Sequence, residues 1–464
     1  MFTFTEARLA AYFPGLVDVC QGEDGQLLYC TVQDGRLVFA DQHITDTETC
    51  TIPERKHFSF TIPRAAEVER YFSQDDSTLY DDLLVYLKRF SALDDEQWVL
   101  VAYYVFLTYL HDHPDIDYCG YLLFYAVPER GKSRTGKSVS YVAFRGEHLI
   151  ELREPIIFRA TEYMHGTLFF DLLDVSKKAE QSRSEDILLL RAEKGVKCKR
   201  ITNPDLGPFL DTTHYDIYGP TIIATNEPLH KILDTRCLPI TMPNRPGNYE
   251  NPRPEFGLEL KERLTAWRAR HLTTRFINLQ PIPGISGRLW DISKPLFMIA
   301  TILKKQTVTL LAAVKAIAGE KSESRQETPE GRLVRIIQEL TEDNGFDLRD
   351  EWSLSVSNIR GKFNEGRSEG HLASAQWIGL RLKSMSIRNR HVNGYSEIVL
   401  TQQEYRTLLD QYGLAGRESH QETQLSSNYP PEKTETEQAV LREVESSRES
   451  SNGQGGNHDD DLPF

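Results

Sequence analysis

The sequence predicts an α/β protein, because apolar runs that are typical of buried strands alternate with helical segments over roughly residues 115–245. Three of these runs are YLLFYAV (121–127), TLFFDLLDV (167–175) and PTIIAT (220–225). Continuous apolar runs favour parallel strands that are covered on both faces. Residues 329–411 show a separate pattern of short helices followed by a hairpin. The expected architecture is therefore a parallel-sheet core with further domains around it.

The chain before this core is expected to form an α+β region over residues 1–92. The stretch LLYCTVQDGRLVFA (27–40) has an Asp-Gly pair between two apolar runs, which is a strong hairpin signal. The pattern then becomes helical. The most apolar stretch, WVLVAYYVFLTYL (98–110), is too short to span a bilayer and predicts a buried helix. We expect no membrane segment.

The first residues and the cysteines favour a cytoplasmic protein. MFTFTEARLAAYF (1–13) lacks the basic start and the long apolar run of a secretory signal. The six cysteines include no CxxC pair and fit no zinc spacing. A reduced compartment with incidental thiols is the simplest interpretation.

Charge is unevenly distributed along the 464 residues. The formal net charge is −14 at pH 7, which argues against a uniformly basic nucleic-acid binder. Residues 415–464 carry 11 acidic and 4 basic side chains, so their net charge of −7 is half of the excess. Their Ser-, Gly- and Glu-rich composition is typical of a disordered acidic tail.

One motif in the core indicates nucleotide chemistry. GKSRTGKS (131–138) fits the phosphate-loop pattern G-x-x-x-x-G-K-S and lies between an apolar strand and a predicted helix. In this pattern Gly131 and Gly136 let backbone N–H groups face the phosphates. Lys137 reaches the β- and γ-phosphates, and the Ser138 hydroxyl binds Mg²⁺. Val139 follows and is also expected to contact the nucleotide, because the start of a helix favours an anion. We therefore predict ATP and Mg²⁺ as ligands.

A carboxylate for the metal is expected at the end of a neighbouring strand. TLFFDLLDV supplies Asp171, and we predict that it joins the Mg²⁺ shell directly or through water. The next residue would usually be a glutamate that activates the attacking water, but here it is Leu172. Asp174 is the nearest substitute, and a helix N-cap is at least as good an interpretation of it.

Two further polar residues fit a nucleotide site. GPTIIATNEP (219–228) ends a strand near Asn226, whose amide can orient water at the γ-phosphate. DTRCLPITM (234–242) offers Arg236 as an arginine finger, which would act from a neighbouring subunit and so require an oligomer. A surface salt bridge is the alternative for Arg236.

Taken in order, five segments resemble the ring-forming P-loop ATPases of plasmids, phages and integrated elements. They are GKSRTGKS, TLFFDLLD, LLLRAEKGVKCKRI, YDIYGPTIIAT and TRCLPITM. This group comprises superfamily-three-like and minichromosome-maintenance-like replicative helicases. The resemblance covers about residues 95–400 and implies an AAA+-like P-loop ATPase core that forms a hexameric ring on DNA. GRLWDISKPLFMIATI resembles the helical lid, where Arg288 would be a second nucleotide-sensing arginine.

The sequence patterns and this resemblance together divide the chain into five parts. WIGLRLKSM (377–385) is similar to the recognition helix of a C-terminal winged helix. The expected parts are an N-terminal α+β domain, the ATPase core, a helical lid, a winged-helix DNA-binding domain and the acidic tail, over residues 1–92, 93–250, 251–325, 326–412 and 413–464.

Basic residues cluster in two places, which predicts contacts with DNA phosphates. In the core, KGVKCKR could form a pore loop that holds single-stranded DNA, and an ordinary basic hairpin is the alternative. Its candidate residues are Lys194, Lys197, Lys199 and Arg200. In the winged-helix region the alternative is a solvated face of a docking domain. The candidates there are Arg360, Lys362, Arg381, Lys383, Arg388 and Arg390.

The last six residues, DDDLPF, resemble the acidic tip of bacterial single-stranded-DNA-binding proteins. The resemblance implies a contact with proteins that bind such tips, made by Asp459, Asp460, Asp461, Leu462, Pro463 and Phe464. Phe464 would fill an apolar pocket while its carboxylate meets an Arg or Lys. Alternatively, the acidic tail occupies the protein's own basic groove until DNA displaces it.

These patterns favour an ATP-dependent DNA helicase or translocase that acts in the replication of a mobile genetic element and recruits host replication proteins through its tip. Leu172 motivates an alternative, a DNA-bound ATPase switch such as a loader, initiator or defence component without processive unwinding. A third hypothesis is a DNA-binding adaptor whose nucleotide site is structural.

Overall fold

The computed structural model describes residues 6–46, 48–74, 76–305, 307–344, 351–392 and 394–414. These residues form two compact units, which divide between residues 314 and 315. The boundaries predicted at 92 and 250 therefore fall inside the first unit. The predicted tail, apart from its first two residues, lies outside the described residues, and so does its tip.

The first unit opens with six short strands in two sheets. They are β1 (Glu6–Leu9), β2 (Leu16–Gln21), β3 (Leu27–Gln33), β4 (Arg36–Ala40), β5 (Gln42–Ile44) and β6 (Glu48–Thr51). The antiparallel sheet β2-β3-β4 contains the predicted hairpin. Its turn residues Asp34 and Gly35 both have positive φ, at 49° and 74°, as a two-residue hairpin turn requires.

Helices pack these strands onto the core. They are α1 (Ala65–Phe72), α2 (Leu79–Lys88) and α3 (Asp95–Leu110), with α9 (Leu258–His271) and α10 (Gly287–Leu303) from later in the chain. α3 is buried along nearly its whole length, as predicted. The buried Arg268 of α9 pairs with Asp112 at 2.7 Å and donates to the carbonyls of Leu16, Val17 and Tyr109. This one guanidinium thus joins the N-terminal strands to α3 and α9.

The core is a five-stranded parallel sheet, which confirms the predicted α/β class. Its strands are β7 (Tyr121–Tyr125), β8 (Glu147–Leu149), β9 (Leu168–Asp171), β12 (Thr221–Thr225) and β13 (Cys237–Thr241). They lie in the order β13-β7-β12-β9-β8. The helices between them are α4 (Lys132–Val142), α5 (Glu154–Met164), α6 (Val175–Ser182), α7 (Glu185–Leu190) and α8 (Lys231–Asp234). An antiparallel hairpin, β10 (Lys197–Ile201) and β11 (Thr212–Asp216), is inserted before β12.

The second unit combines short helices with a three-stranded antiparallel sheet in the order β14-β16-β15. α11 (Thr307–Gln326) contains the division between the units. Then follow α12 (Pro329–Asn344), β14 (Trp352–Ser355), α13 (Val356–Asn364), α14 (Ala375–Ser384), β15 (Arg388–Val392), β16 (Tyr395–Leu400) and α15 (Gln402–Gln411). The hairpin expected near Gly394 is present as β15–β16. The sequence reasoning missed β14.

Two general expectations can be compared with the described residues. No helix among them has both the length and the apolar character needed to cross a bilayer. All six cysteines are buried, and none of them forms a disulfide with another described residue.

Candidate functional site

The predicted phosphate loop lies mostly inside a helix. α4 begins at Lys132, directly after Gly131, which caps it with φ at 84°. Gly136 is therefore helical, and a Cβ at this position would overlap the ring of Phe169 on β9. The Ser138 hydroxyl is buried and donates to the Thr135 carbonyl at 2.8 Å. The prediction that Gly131–Ser138 forms the loop is wrong, because residues 132–138 belong to the helix.

The segment that turns between β7 and α4 is five residues earlier. It spans residues 126–131, and Glu129 and Gly131 have positive φ, at 68° and 84°. AVPERGKS (126–133) fits the same pattern, with Ala126 in place of the first glycine. In this register the Gly-Lys-Ser triplet is Gly131, Lys132 and Ser133. It lies at the start of α4, where free N–H groups favour an anion.

Ser133 and Lys132 contribute polar groups to this turn. The Ser133 hydroxyl donates to Asp171 Oδ1 at 2.9 Å, and Asp171 is the last residue of β9. Lys132 is 9% exposed, and its ammonium group makes no hydrogen bond or ion pair with any residue that the structure describes. Arg130 Nη1 is also buried without a partner there. Because neither the Lys132 ammonium nor Arg130 Nη1 has a partner among the described residues, this turn is suited to an anionic ligand.

Lys137 and Val139 lie further along α4. An α-helix rises 1.5 Å per residue, so Lys137 is about 7.5 Å beyond Lys132 and about 140° around the axis. Burial lowers the pKa of His148, the positive charge of Lys137 lowers it further, and Asp171 opposes them. Lys137 is therefore close enough to β8 to influence His148. Val139 is fully buried, so it contributes packing.

Asp171 and Asn226 lie at the same edge of the sheet. β9 does not pair with β7, as a neighbouring strand would, because β12 lies between them. The backbone N–H of Asn226 donates to the Leu173 carbonyl at 3.3 Å, which connects the end of β12 to the chain after β9. Asn226 Oδ1 is buried without a hydrogen-bond partner among the described residues. The side-chain amide is therefore available to a ligand or water.

The two positions after Asp171 do not supply a free carboxylate. Leu172 is buried in the hydrophobic core. Asp174 caps α6, where its carboxylate accepts the Lys177 N–H at 2.9 Å. Exposed carboxylates that the sequence reasoning missed are Glu129 in the turn and Glu227 directly after Asn226. The signal for Glu227 was its position beside Asn226 at a strand end.

Arg236 and Arg288 lie at the other edge of the sheet. Arg236 precedes β13, and its carbonyl accepts the Tyr121 N–H at the start of β7. Its guanidinium donates to the Leu189 and Ile232 carbonyls at 2.6 and 2.9 Å. Arg288 lies over the ring of Tyr118, before β7. A five-residue strand is roughly 15 Å long, so neither arginine reaches the Ser133–Asp171 contact of its own chain.

A cleft of about 420 Å³ opens beside the turn. One wall contains Pro128–Gly131, and the opposite wall contains residues 243–249, which follow β13. Two ion pairs hold this second wall, Arg245 with Asp94 at 2.5 Å and Arg89 with Glu250 at 2.7 Å. The cleft therefore extends from this turn, and its lining includes the charged residues Glu129, Arg130, Arg134 and Arg245.

The predicted DNA contacts of the core fall into two groups. Lys194 precedes the hairpin and donates to the His113 carbonyl at 2.5 Å, and burial lowers its pKa. Lys197 and Lys199 are exposed on one face of β10. Arg200 faces the other way and pairs with Glu154. Of these four cations, Lys197 and Lys199 thus lie on the hairpin surface without an ion pair to any residue in the described part of the chain.

Most of the predicted cations of the second unit are paired within it. Lys362 lies 3.0 Å from Asp343, and Arg388 lies 3.0 Å from Glu404. Arg381 pairs with Glu330, and Arg390 pairs with Glu397. Arg360 and Lys383 are exposed, and neither makes an ion pair with a described residue.

Comparison with known proteins gives only distant likeness. No family model matches the chain, and no curated protein matches it. It is similar to the solved structure of SCCmec type IV Cch, an active helicase, with 10% identity over 87% of this chain and 80% of that chain and a TM-score of 0.36. It is also similar to the NrS-1 C-terminal region (10%; 83% and 96%; 0.33) and to a full-length MCM homolog from Methanopyrus kandleri (13%; 53% and 57%; 0.28). At these values the function has to be inferred from the site itself.

Proposed function

We propose that the chain is an ATP-dependent DNA motor, a helicase or translocase, whose phosphate loop is residues 126–133. The observation that carries this proposal is the Ser133–Asp171 contact at the first turn of α4, beside Lys132, whose ammonium group makes no ion pair with a described residue. The first N–H groups of α4 would bind the phosphates. Lys132, not Lys137, would neutralise the β- and γ-phosphates.

The donor atoms of this turn fit Mg²⁺. A serine hydroxyl and a carboxylate are oxygen ligands, which Mg²⁺ prefers together with substrate phosphates. Ser133 and Asp171 would hold the ion, and the ion would neutralise charge on the transferred phosphoryl group. Asn226 would orient the attacking water. The cleft between Pro128–Gly131 and residues 243–249 would take the base and sugar.

The opposite sheet edge supports a ring. Arg236 and Arg288 are too far from their own phosphate loop to act there, so we assign them to the site of a neighbouring subunit, with Arg236 as the arginine finger. Head-to-tail contacts of this kind close into rings. We infer an AAA+-like core in a hexamer, in which β12 with Asn226 separates the phosphate-loop strand from the carboxylate strand.

Two parts would contact DNA. The first is the face of the β10–β11 hairpin that carries Lys197 and Lys199. The second unit would be a winged helix, supported by its order of helix, strand, two helices and hairpin, with α14 as the recognition helix. Since four of its six predicted cations are paired internally, Arg360 and Lys383 are the first candidates there.

The remaining parts of the proposal come from the sequence. Asp459–Phe464 would recruit host replication proteins, and the setting would be the cytoplasmic replication of a mobile element. Strand displacement on forked DNA tests the function, with Lys132→Ala as the control. ATP-dependent displacement that Lys132→Ala abolishes is expected. If a pure oligomer hydrolyses ATP but displaces no strand from any forked DNA, the proposed helicase function is wrong.

A DNA-bound ATPase switch is the second candidate. Leu172 is buried where a catalytic glutamate would be expected, and Asp174 is occupied as a helix cap. If Glu129 or Glu227 cannot replace that glutamate, turnover is slow. ATP binding with near-zero DNA-stimulated hydrolysis would favour this candidate over the motor.

A further inference from the structure

The tip of the β10–β11 hairpin exposes a cluster of large apolar side chains. Phe209 is 96% exposed, and Leu206 and Leu210 are 58% and 69% exposed. Together with Ile201, which is 69% exposed at the end of β10, they form the hairpin tip. Such a cluster on a protruding loop is unfavourable in water unless it has a partner.

The backbone holds Phe209 in place. The N–H groups of Leu210 and Asp211 donate to the Gly207 carbonyl at 3.3 and 3.0 Å, and the Thr202 N–H donates to the Asp211 carbonyl at 2.8 Å. Phe209 has φ at 75°, which is rare for a bulky residue and unfavourable. Strain of this kind persists where the surroundings fix it, and it often marks functional positions.

The chemistry next to the tip indicates its partner. Lys197, Lys199 and His214 share the exposed face of the hairpin, with Lys199 directly opposite His214. At the tip, Asp205 and Asp211 bring negative charge, so the tip itself does not attract phosphates. A basic strand that leads to an exposed aromatic ring is typical of single-stranded nucleic-acid binding, where phosphates follow the cations and bases stack on rings.

We infer that Phe209 stacks on an unpaired base of a DNA strand whose phosphates lie along Lys197 and Lys199. This inference rests on the proposed DNA motor and adds a base-contacting residue to it. Stacking accounts for an aromatic side chain turned fully outward, which neither folding nor electrostatic attraction explains. It also predicts that the contact tolerates any base, since every base has a flat face.

Fluorescence anisotropy of labelled oligo-dT with the full chain tests the inference. Phe209→Leu keeps the apolar bulk and removes the ring, and it should weaken binding by about 5- to 100-fold. Phe209→Trp should restore binding. As a control, Ile44→Ala removes another exposed apolar side chain, on β5 (68% exposed), and should leave the affinity within about twofold.

Salt dependence separates stacking from charge. Lys199→Ala should lower the slope of log affinity against log salt by about 0.7, the value for one single-strand phosphate, and Phe209→Leu should leave the slope unchanged. An abasic oligonucleotide should bind the wild type and Phe209→Leu equally. If the wild type and Phe209→Leu bind oligo-dT with equal affinity, the stacking inference is wrong, but the proposed DNA motor is not affected. If the wild-type protein binds no single-stranded DNA, both the stacking inference and the proposed DNA motor are wrong.

Discussion

Lys132 and Lys137 occupy the same position in two overlapping matches to one motif, and alanine substitutions decide which lysine binds phosphate. Lys132 lies at the first position of α4, one residue before Ser133, which contacts Asp171. Lys137 lies about 7.5 Å further along the helix and about 140° around it. A lysine side chain spans about 6 Å and cannot correct both displacements.

The expected magnitudes differ widely. Removing one preorganised charge that stabilises a transition state reduces kcat by about 10²- to 10³-fold, so Lys132→Ala should lose that much ATP hydrolysis. Lys137→Ala removes a charge near His148 and should change kcat by less than about threefold.

Steady-state phosphate release with saturating ATP measures both variants. Their thermal midpoints should be compared first, because Lys132 is buried and its removal could change stability. A variant Lys132→Met keeps most of the apolar stem. If Lys137→Ala is inactive while Lys132→Ala and Lys132→Met hydrolyse ATP normally, the register derived from the start of α4 is refuted.

Three further predictions follow from other parts of the first unit. Arg236→Ala should bind ATP but lose more than about 100-fold in kcat. Mixing this variant with Lys132→Ala should restore hydrolysis, because a Lys132 from one subunit and an Arg236 from its neighbour then form an intact site. If mixing restores no hydrolysis, Arg236 does not act in the neighbour's site. Arg245→Ala breaks an exposed ion pair on the cleft wall and should raise the Kd for ATP by up to about fivefold, which titration calorimetry measures; an unchanged Kd would separate the cleft from the nucleotide. Burial lowers the pKa of His111 from its usual 6.5 to about 4, so the unfolded chain binds the extra proton and stability falls by about 3 kcal/mol as the pH drops from 6.5 to 4. In thermal melts, His111→Gln should reduce this loss of stability between pH 6.5 and 4. If the loss is unchanged in the variant, other groups cause it.

The sequence predicted the parallel sheet because β7, β9 and β12 are continuous apolar runs, which only burial on both faces explains. β14 was missed because it is four residues long, half polar and directly followed by α13. The phosphate-loop register could not be read either, since Gly-Lys-Ser occurs twice in GKSRTGKS and both copies fit the spacing. Only the position at which the helix begins separates them.

The two arginines illustrate another limit of sequence reasoning. Spacing along the chain suggested that Arg236 and Arg288 serve a nucleotide, but it could not say at which edge of the sheet they lie. That depends on the direction of β7 and β13, which run parallel. The folded chain places both arginines at the edge where the strands begin.

The buried ion pairs of the first unit determine how the protein can be shortened. Arg145 is 1% exposed and contacts Asp18 at 2.7 Å, and Arg268 takes two of its carbonyl partners from β2. A truncated protein starting at residue 93 would keep both guanidinium groups and lose these partners. Breaking one buried pair costs about 3–5 kcal/mol, a large part of the stability of a typical domain. Excised ATPase fragments should therefore be insoluble, and shorter versions for crystallisation should be trimmed from the C-terminal end.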